Sequence, residues 1–348
     1  MLHGATRAFA RAARIYSLSC FADDEHLEYD DADVTLTLNK FIVALRSLRL
    51  VAHGTLTSLN VQGLAMCCSP AFTSLARAIV AARLTSLRLS ECFMNTNSGA
   101  GLVNLMTHSY LERLEIFCSD IFEEAIFDAA TGPAFGAAMM SNTRLRLLVL
   151  ENVCLWKVPA DGVAVLAGAT GHPTLRELSV AHNECHHLNL EASTPGERVA
   201  AAAVMRESLH ALVAANSPAL LDLKCNDSCL TFACLAPLMD ALPSNTHLKA
   251  LDVSSNMHDA DDSVDDARAF ARAILSAARR NTALVSLSCA QGVGRVEPPE
   301  IVEAERCASP EWLPLRFERA TRVAAEAEVA RLRARLDGVT AAQRGGAT

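Results

Sequence analysis

Long apolar runs, lysine, aromatic rings and the short signatures of catalysis are all scarce in this 348-residue chain. No uninterrupted apolar stretch approaches the ~18 residues that cross a bilayer, so no membrane span is expected. Lysine occurs only at Lys40, Lys157, Lys224 and Lys249, and with a net charge of −8 the chain lacks the basic excess that a general nucleic-acid binder uses to displace phosphate counterions. No Gly-rich phosphate loop, G-x-S-x-G or H-E-x-x-H is present. The expected function is therefore not enzymatic, and no cofactor is implied. Aromatic residues make up 5% of the chain against 51% hydrophobic residues, which fits an Ala/Leu-packed stack better than an aromatic-rich barrel. The 12 cysteines are spread over the whole length with no secretory signal and no C-x-x-C pair. That distribution points to small buried thiols in a reducing, cytoplasmic setting, not to a disulfide framework.

What the chain does have is repetition. The pattern L-x-x-L-x-L, or a close apolar variant, starts at Leu56, Leu84, Leu111, Leu145, Leu175, Leu220, Leu248 and Leu284, so that successive starts lie 28, 27, 34, 30, 45, 28 and 36 residues apart. The stretches between them have helical period and composition, over Ala71–Ala82, Gly99–His108, Phe135–Ser141, Gly162–Ala169, Arg198–Ala214, Phe232–Leu242 and Val264–Arg279. In the last of these, Phe270, Ala271, Ile274, Leu275 and Ala278 share a face, and Arg268, Arg272 and Arg279 lie away from it. The longest interval leaves Glu184–Gly196 as an exposed insertion before a helix starting near Glu197.

A recurring word precedes the strands: Asn142-Thr-Arg-Leu145, Asn245-Thr-His-Leu248, Asn281-Thr-Ala-Leu284, with Pro173-Thr-Leu175 as a variant. Asparagine tolerates the left-handed conformation that ends a helix, and this is the expected reason for the word. Motif, helix and word together resemble the ribonuclease-inhibitor-like class of leucine-rich repeats, over roughly Leu56 to Ala290. The resemblance implies an α/β solenoid, a horseshoe with a concave parallel sheet and convex helices, of about eight repeats plus end caps. It also implies an Asn or Cys three residues past the last core position, which satisfies backbone groups in the turn. Cys92, Asn183 and Asn256 fit; Ser119, Val153 and Ser228 depart, and looser turns are expected there.

Three regions follow: an N-terminal segment and cap (1–55), the array (56–296), and a C-terminal part (297–348). The last holds Pro298, Pro299, Pro310 and Pro314, then an Ala/Glu/Arg helix over Arg316–Asp337 whose Val329, Leu332, Leu336 and Val339 suit a cap or a short coiled coil. Residues 1–22 contain Arg7, Arg11 and Arg14 and no acid, a composition that suits a mitochondrial transit peptide over 1–16; Ile15-x-x-Leu18-x-Cys20 equally suits an irregular first strand of the array.

In such an array the leucines point inward and the residues between them point to the open face. Most of those are small and polar. At the centre, Arg88, Arg113 and Glu115 adjoin Phe117, Leu147 and Val149, with Glu177, Lys224 and Asp252 further along. An apolar centre rimmed by charge is the pattern of a protein-binding hot spot, so the expected partner of a monomeric module is another protein. His182, Cys185, His186 and His187, with Cys225 and Cys229, are metal-ligand types without an established ligand spacing, and insertion loops often carry exposed histidines. Asp259–Asp266 lacks the Gly and the closing Glu of an EF-hand and reads as carboxylates ahead of a helix N-terminus. The resemblance also admits a regulator of a small GTPase, since Ran GTPase-activating proteins use this repeat. No stretch here matches their arginine loop or acidic tail. A recognition part of a ubiquitin-ligase or innate-immune assembly is a third possibility, without an F-box or nucleotide-binding domain in view.

Overall fold

A computed structural model describes residues 17–21, 57–63, 66, 69–108, 110–118, 125–183, 195–228, 230–256, 264–290 and 299–312, with helical positions scattered between 314 and 331. Each L-x-L of the repeated motif forms a strand: β2 Ser58–Gln62, β3 Ser86–Cys92, β4 Arg113–Cys118, β5 Leu147–Glu151, β6 Glu177–Ser179, β7 Asp222–Lys224, β8 Ala250–Asp252 and β9 Ser286–Ser288. A further strand, β1 Ser17–Phe21, pairs with β2 and sets Leu18 opposite Leu59 and Cys20 opposite Val61. This is the register of the irregular first strand; residues 1–16 lie outside the described residues. The nine strands form one sheet in chain order, and every pairing is parallel. Parallel neighbours need a crossover, and from β2 to β9 helices provide it: α1 Ser69–Ala82, α2 Gly99–His108, α3 Thr131–Ser141, α4 Pro159–Ala169, α5 Pro195–Ala214, α6 Phe232–Ala241 and α7 Val264–Arg280. The result is an α/β fold compatible with a leucine-rich-repeat-like solenoid. Pro195 and Gly196, expected in the insertion, belong to α5; residues 184–194 lie outside the described residues. No described helix is long and apolar enough to cross a membrane.

The core is a continuous stack between sheet and helices. Leu59, Leu87, Leu114, Leu148, Leu178, Leu223, Leu251 and Leu287 occupy equivalent, paired positions from β2 to β9, and all are buried. On α7 the predicted face is buried at Phe270, Ala271, Ile274 and Ala278, while the three arginines stay exposed. The helices α3 and α4 press together at glycine: a Cβ on Gly136 would lie 2.2 Å from the Ala164 carbonyl oxygen, and one on Gly168 would lie 2.6 Å from that of Gly136.

The pre-strand asparagines act by their amides. Asn142 and Asn245 have extended backbones (φ −80 and −81), so the left-handed explanation is wrong for them. Instead Asn142 Nδ2 donates to the Met106 carbonyl on the preceding helix, and its Oδ1 accepts from the Arg144 and Leu145 amides at 2.8 and 3.0 Å. Asn245 does the same with Val213, His247 and Leu248, and Asn281 with Leu242, Ala283 and Leu284. In the Pro-Thr variant His172 takes the role: its Nδ1 accepts from the Thr174 and Leu175 amides, and its Nε2 lies 3.1 Å from the Met139 carbonyl. Burial holds this imidazole in its neutral form by lowering its pKa. In four of the eight repeats one buried side chain thus ties a helix end to the next strand.

Left-handed backbone follows other helix ends, at Arg83, Gly171 and Asn216, and recurs two residues past the last core position, at Gly63, Glu91, Asn152, His182, Asp227 and Ser255. Beside it, Asn183 and Asn256 are buried and fully engaged. Asn183 Oδ1 accepts from the Val153 and Leu155 amides, and its Nδ2 donates to the Leu150, Val180 and Ala181 carbonyls. Asn256 serves the Ser228 and Leu230 amides and the Cys225 and Val253 carbonyls. The turns at Val153 and Ser228 are therefore not loose: each borrows the amide of the following repeat. Ser119 lies outside the described residues.

The proline-bearing C-terminal stretch contains α8 Pro299–Ala308, which buries Ile301, Ala304, Cys307 and Ala308 against the end of the array. Glu305 Oε1 accepts from the Cys289 and Ala290 amides at 2.8 and 3.2 Å, so a carboxylate closes hydrogen-bonding groups just past β9.

Candidate functional site

Helices cover one face of the sheet, and among the described residues no element covers the other. Because strand residues alternate, the side chains between the core leucines form three rows along it. The middle row runs Arg88, Glu115, Val149, Ser179, Lys224 and Asp252 in direct register from β3 to β8. The row before it runs Arg113, Leu147, Glu177 and Asp222, and the row after it places Phe117 beside Glu151. All nine residues singled out in the sequence lie on this face.

A shallow depression of about 270 Å³ occupies its centre, lined by Glu115, Phe117, Leu147, Val149, Glu151, Glu177, Leu178, Ser179, Asp222 and Lys224. Arg88, Arg113 and Asp252 flank it. Glu151, Ser179 and Asp222, which the repeat register places in the same three rows, were not among the residues singled out. Their signal was that place in the rows, beside the chosen Phe117, Val149 and Glu177.

The two sides of the depression differ in charge. On β3 and β4, Glu115 bridges both arginines, at 3.0 Å from Arg88 and 3.2 Å from Arg113, with only 13% of its side chain exposed. The Arg88 guanidinium also lies 4.3 Å from the centre of the Phe117 ring, a cation–π contact. These arginines are already held, so reversing both would set two new carboxylates beside Glu115 and disturb the face itself. From β5 to β8, Glu151, Glu177, Asp222 and Asp252 face a single ammonium, Lys224. Glu151 accepts from the Ser179 hydroxyl at 2.6 Å, and Asp252 accepts from the Ser254 hydroxyl at 2.6 Å and from its amide. Burial raises the pKa of Asp222; Lys224 opposes the rise, and Glu177 and Asp252 add to it.

Compared with models of known protein families the chain matches none, and among curated proteins it has no detectable relative.

Among the described residues no group of three or more His, Cys, Asp or Glu side chains is placed to hold a metal. His182 Nδ1 lies 2.9 Å from Asp227 Oδ2. Cys185, His186, His187 and Cys229 lie outside the described residues, as do Asp259, Asp261 and Asp262. Asp265 and Asp266 stand in the first turn of α7, where carboxylates favour the positive helix end. Cys92, Cys225 and Cys289 are fully buried in or just past their strands.

Away from this face, Asp161 in the first turn of α4 is 2% exposed, and neither of its oxygens has a hydrogen-bond partner among the described residues. Burial, aided by the neighbouring Asp128 charge, pushes its pKa up to about 6. Asp128 itself is exposed and titrates below its usual range, because its carboxylate accepts from the Thr131 amide and hydroxyl and from the Ala130 amide.

Proposed function

We propose that this chain is a leucine-rich-repeat protein of the ribonuclease-inhibitor-like class that works as a non-enzymatic interaction module, binding another protein on its open strand face. The observation that carries this reading is the central depression. Phe117 and Val149 present apolar surface there over the largely buried Leu147, between two differently charged flanks, on a sheet otherwise faced by small polar residues. Apolar anchors within a polar rim concentrate binding energy. The stacked repeats and paired asparagines hold the face rigid, which limits the ordering cost of association.

Val149 is only partly buried, so Val149→Ser should leave the fold intact while removing apolar surface from the centre and leaving every charge in place. Affinity purification with mass spectrometry, comparing C-terminally tagged wild type and Val149→Ser at matched expression, tests the reading. A protein recovered at least tenfold less with the variant supports it. Identical recovery with both forms would remove the strand face from consideration.

A further inference from the structure

We infer that the occupant of the depression is a basic segment of a partner protein, with one aliphatic side chain on Leu147 and Val149 and an arginine or lysine two or three residues away over Glu177 and Asp222. This rests on the interaction reading above and names the chemistry of the partner.

The argument is one of charge complementarity on an apolar floor. The arginines of β3 and β4 are committed to Glu115 and the Phe117 ring. Across the depression, Glu151 and Asp252 are engaged by serine hydroxyls. Glu177 and Asp222 receive no side-chain hydrogen bond among the described residues, and they sit side by side in register with Leu147. Asp222 is half-buried, so its charge is partly desolvated, and two neighbouring carboxylates oppose it against the one ammonium of Lys224. A cation placed there relieves that repulsion. A phosphate-bearing partner would be repelled by the same carboxylates.

The spacing follows from sheet geometry. Neighbouring strands lie ~4.8 Å apart, so the step from the Leu147/Val149 floor to Glu177 and Asp222 spans one to two strands, ~5–10 Å. An extended segment running across the strands advances ~3.3 Å per residue and covers that distance in two to three residues. The volume of about 270 Å³ suits a single aliphatic anchor, not a buried cofactor.

The test is a positional-scanning array of immobilised heptapeptides probed at low salt with the full chain, as wild type, Val149→Ser and Glu177→Gln/Asp222→Asn. The first removes apolar floor without adding charge, the last pair removes charge at nearly constant shape, and thermal melts confirm that each variant is folded. The expected result is selection of Leu, Ile or Val with Arg or Lys two or three positions away. Those peptides should bind at least tenfold more weakly to Glu177→Gln/Asp222→Asn and to Val149→Ser, and more weakly as salt rises. Selection of aliphatic peptides without a basic preference, lost in Val149→Ser but kept in Glu177→Gln/Asp222→Asn, would overturn this proposal and leave the interaction reading standing. Basic peptides bound equally by all three forms, or no selected peptide at all, would also overturn it.

Discussion

The strands β2–β5 and β6–β9 are written in the same six-residue phrase, yet the first four run for five to seven residues and the last four for three. Pairing does not stop in the second half: the Val180, Cys225 and Val253 amides still donate to the next strand at 2.8, 2.9 and 2.9 Å. What changes is how the turn beyond is held. In the second half Asn183 and Asn256 take over the backbone groups within three residues of the last core position, and regular strand gives way to an amide-pinned turn. The first half places Cys92 and Val153 there, side chains that cannot supply both donors and acceptors, and it draws its helices together at Gly136 and Gly168. The second half supplies buried amides at its strand ends, with Asn183 reaching back to hold the turn after β5, and the first half adds close helix contact. Stability in such an array is a sum of repeat and neighbour-interface contributions, so the two devices should fail in different places.

The sharpest test of that contrast is Asn183→Ala, at the junction of the halves. It removes an acceptor for the Val153 and Leu155 amides and a donor to three carbonyls, all buried. Buried groups left unpaired cost ~1–3 kcal/mol each, with partial relaxation, so a loss of ~3–5 kcal/mol is expected. Urea unfolding measures the total, and hydrogen exchange should show the Val153 and Leu155 amides losing protection first. A loss below ~1 kcal/mol would mean that the turn is held by something else.

Second in size is Gly136→Ala. On helix propensity alone the change should stabilise α3 by ~1 kcal/mol. The sign is expected to invert, because the new methyl would lie 2.2 Å from a backbone oxygen of α4 that has no flexible side chain to yield. A destabilisation of ~2–3 kcal/mol is expected, in line with overpacking elsewhere, and the exchange it provokes should be confined to the helices of the first half. Gain of stability would show that α3 and α4 are not locked by contact.

Much of this was legible in the sequence and some was not. Every motif strand was, because a two-residue alternation with leucine at fixed places survives without knowledge of its neighbours. Helix ends were legible to within a residue on the C-terminal side but began too late, at Phe135 against Thr131, Gly162 against Pro159 and Arg198 against Pro195. Those first turns open on Thr or Pro, which suit a helix start but carry no apolar period. The asparagine word was visible and its mechanism was not, since one residue type serves both left-handed backbone and amide bridging. Likewise α8 was hidden by prolines that mark its start. The rows of the open face followed from the repeat register, which gave its apolar centre with Glu177, Lys224 and Asp252, whereas the membership of Glu151 and Asp222 in the depression depends on its depth and shape.

The smallest expected effect concerns the first half alone. Asp161 lies against the first turn of α3, where a Cβ on Gly132 would meet its Oδ1 at 2.4 Å, so the close helix contact carries a buried carboxyl with it. Its folded pKa, about 6, lies above its ordinary 3.8. The folded state therefore binds this proton more tightly than the unfolded chain, and stability falls as pH rises through the window between the two values. Asp128 slopes the other way, but only below its ordinary pKa, because its carboxylate is favoured by folding and is lost as pH falls. Asp161→Asn should abolish the decline attributable to Asp161 between pH 4 and 6. The full shift corresponds to ~3 kcal/mol at neutral pH. The substituted amide is itself buried without a partner and offsets part of that at every pH, so a net gain of ~1 kcal/mol is expected at pH 7, turning into a net loss of ~1 kcal/mol at pH 4. Thermal melts of both proteins across that range decide it: parallel curves would show that Asp161 is ionised at little cost and that water reaches the seam between α3 and α4.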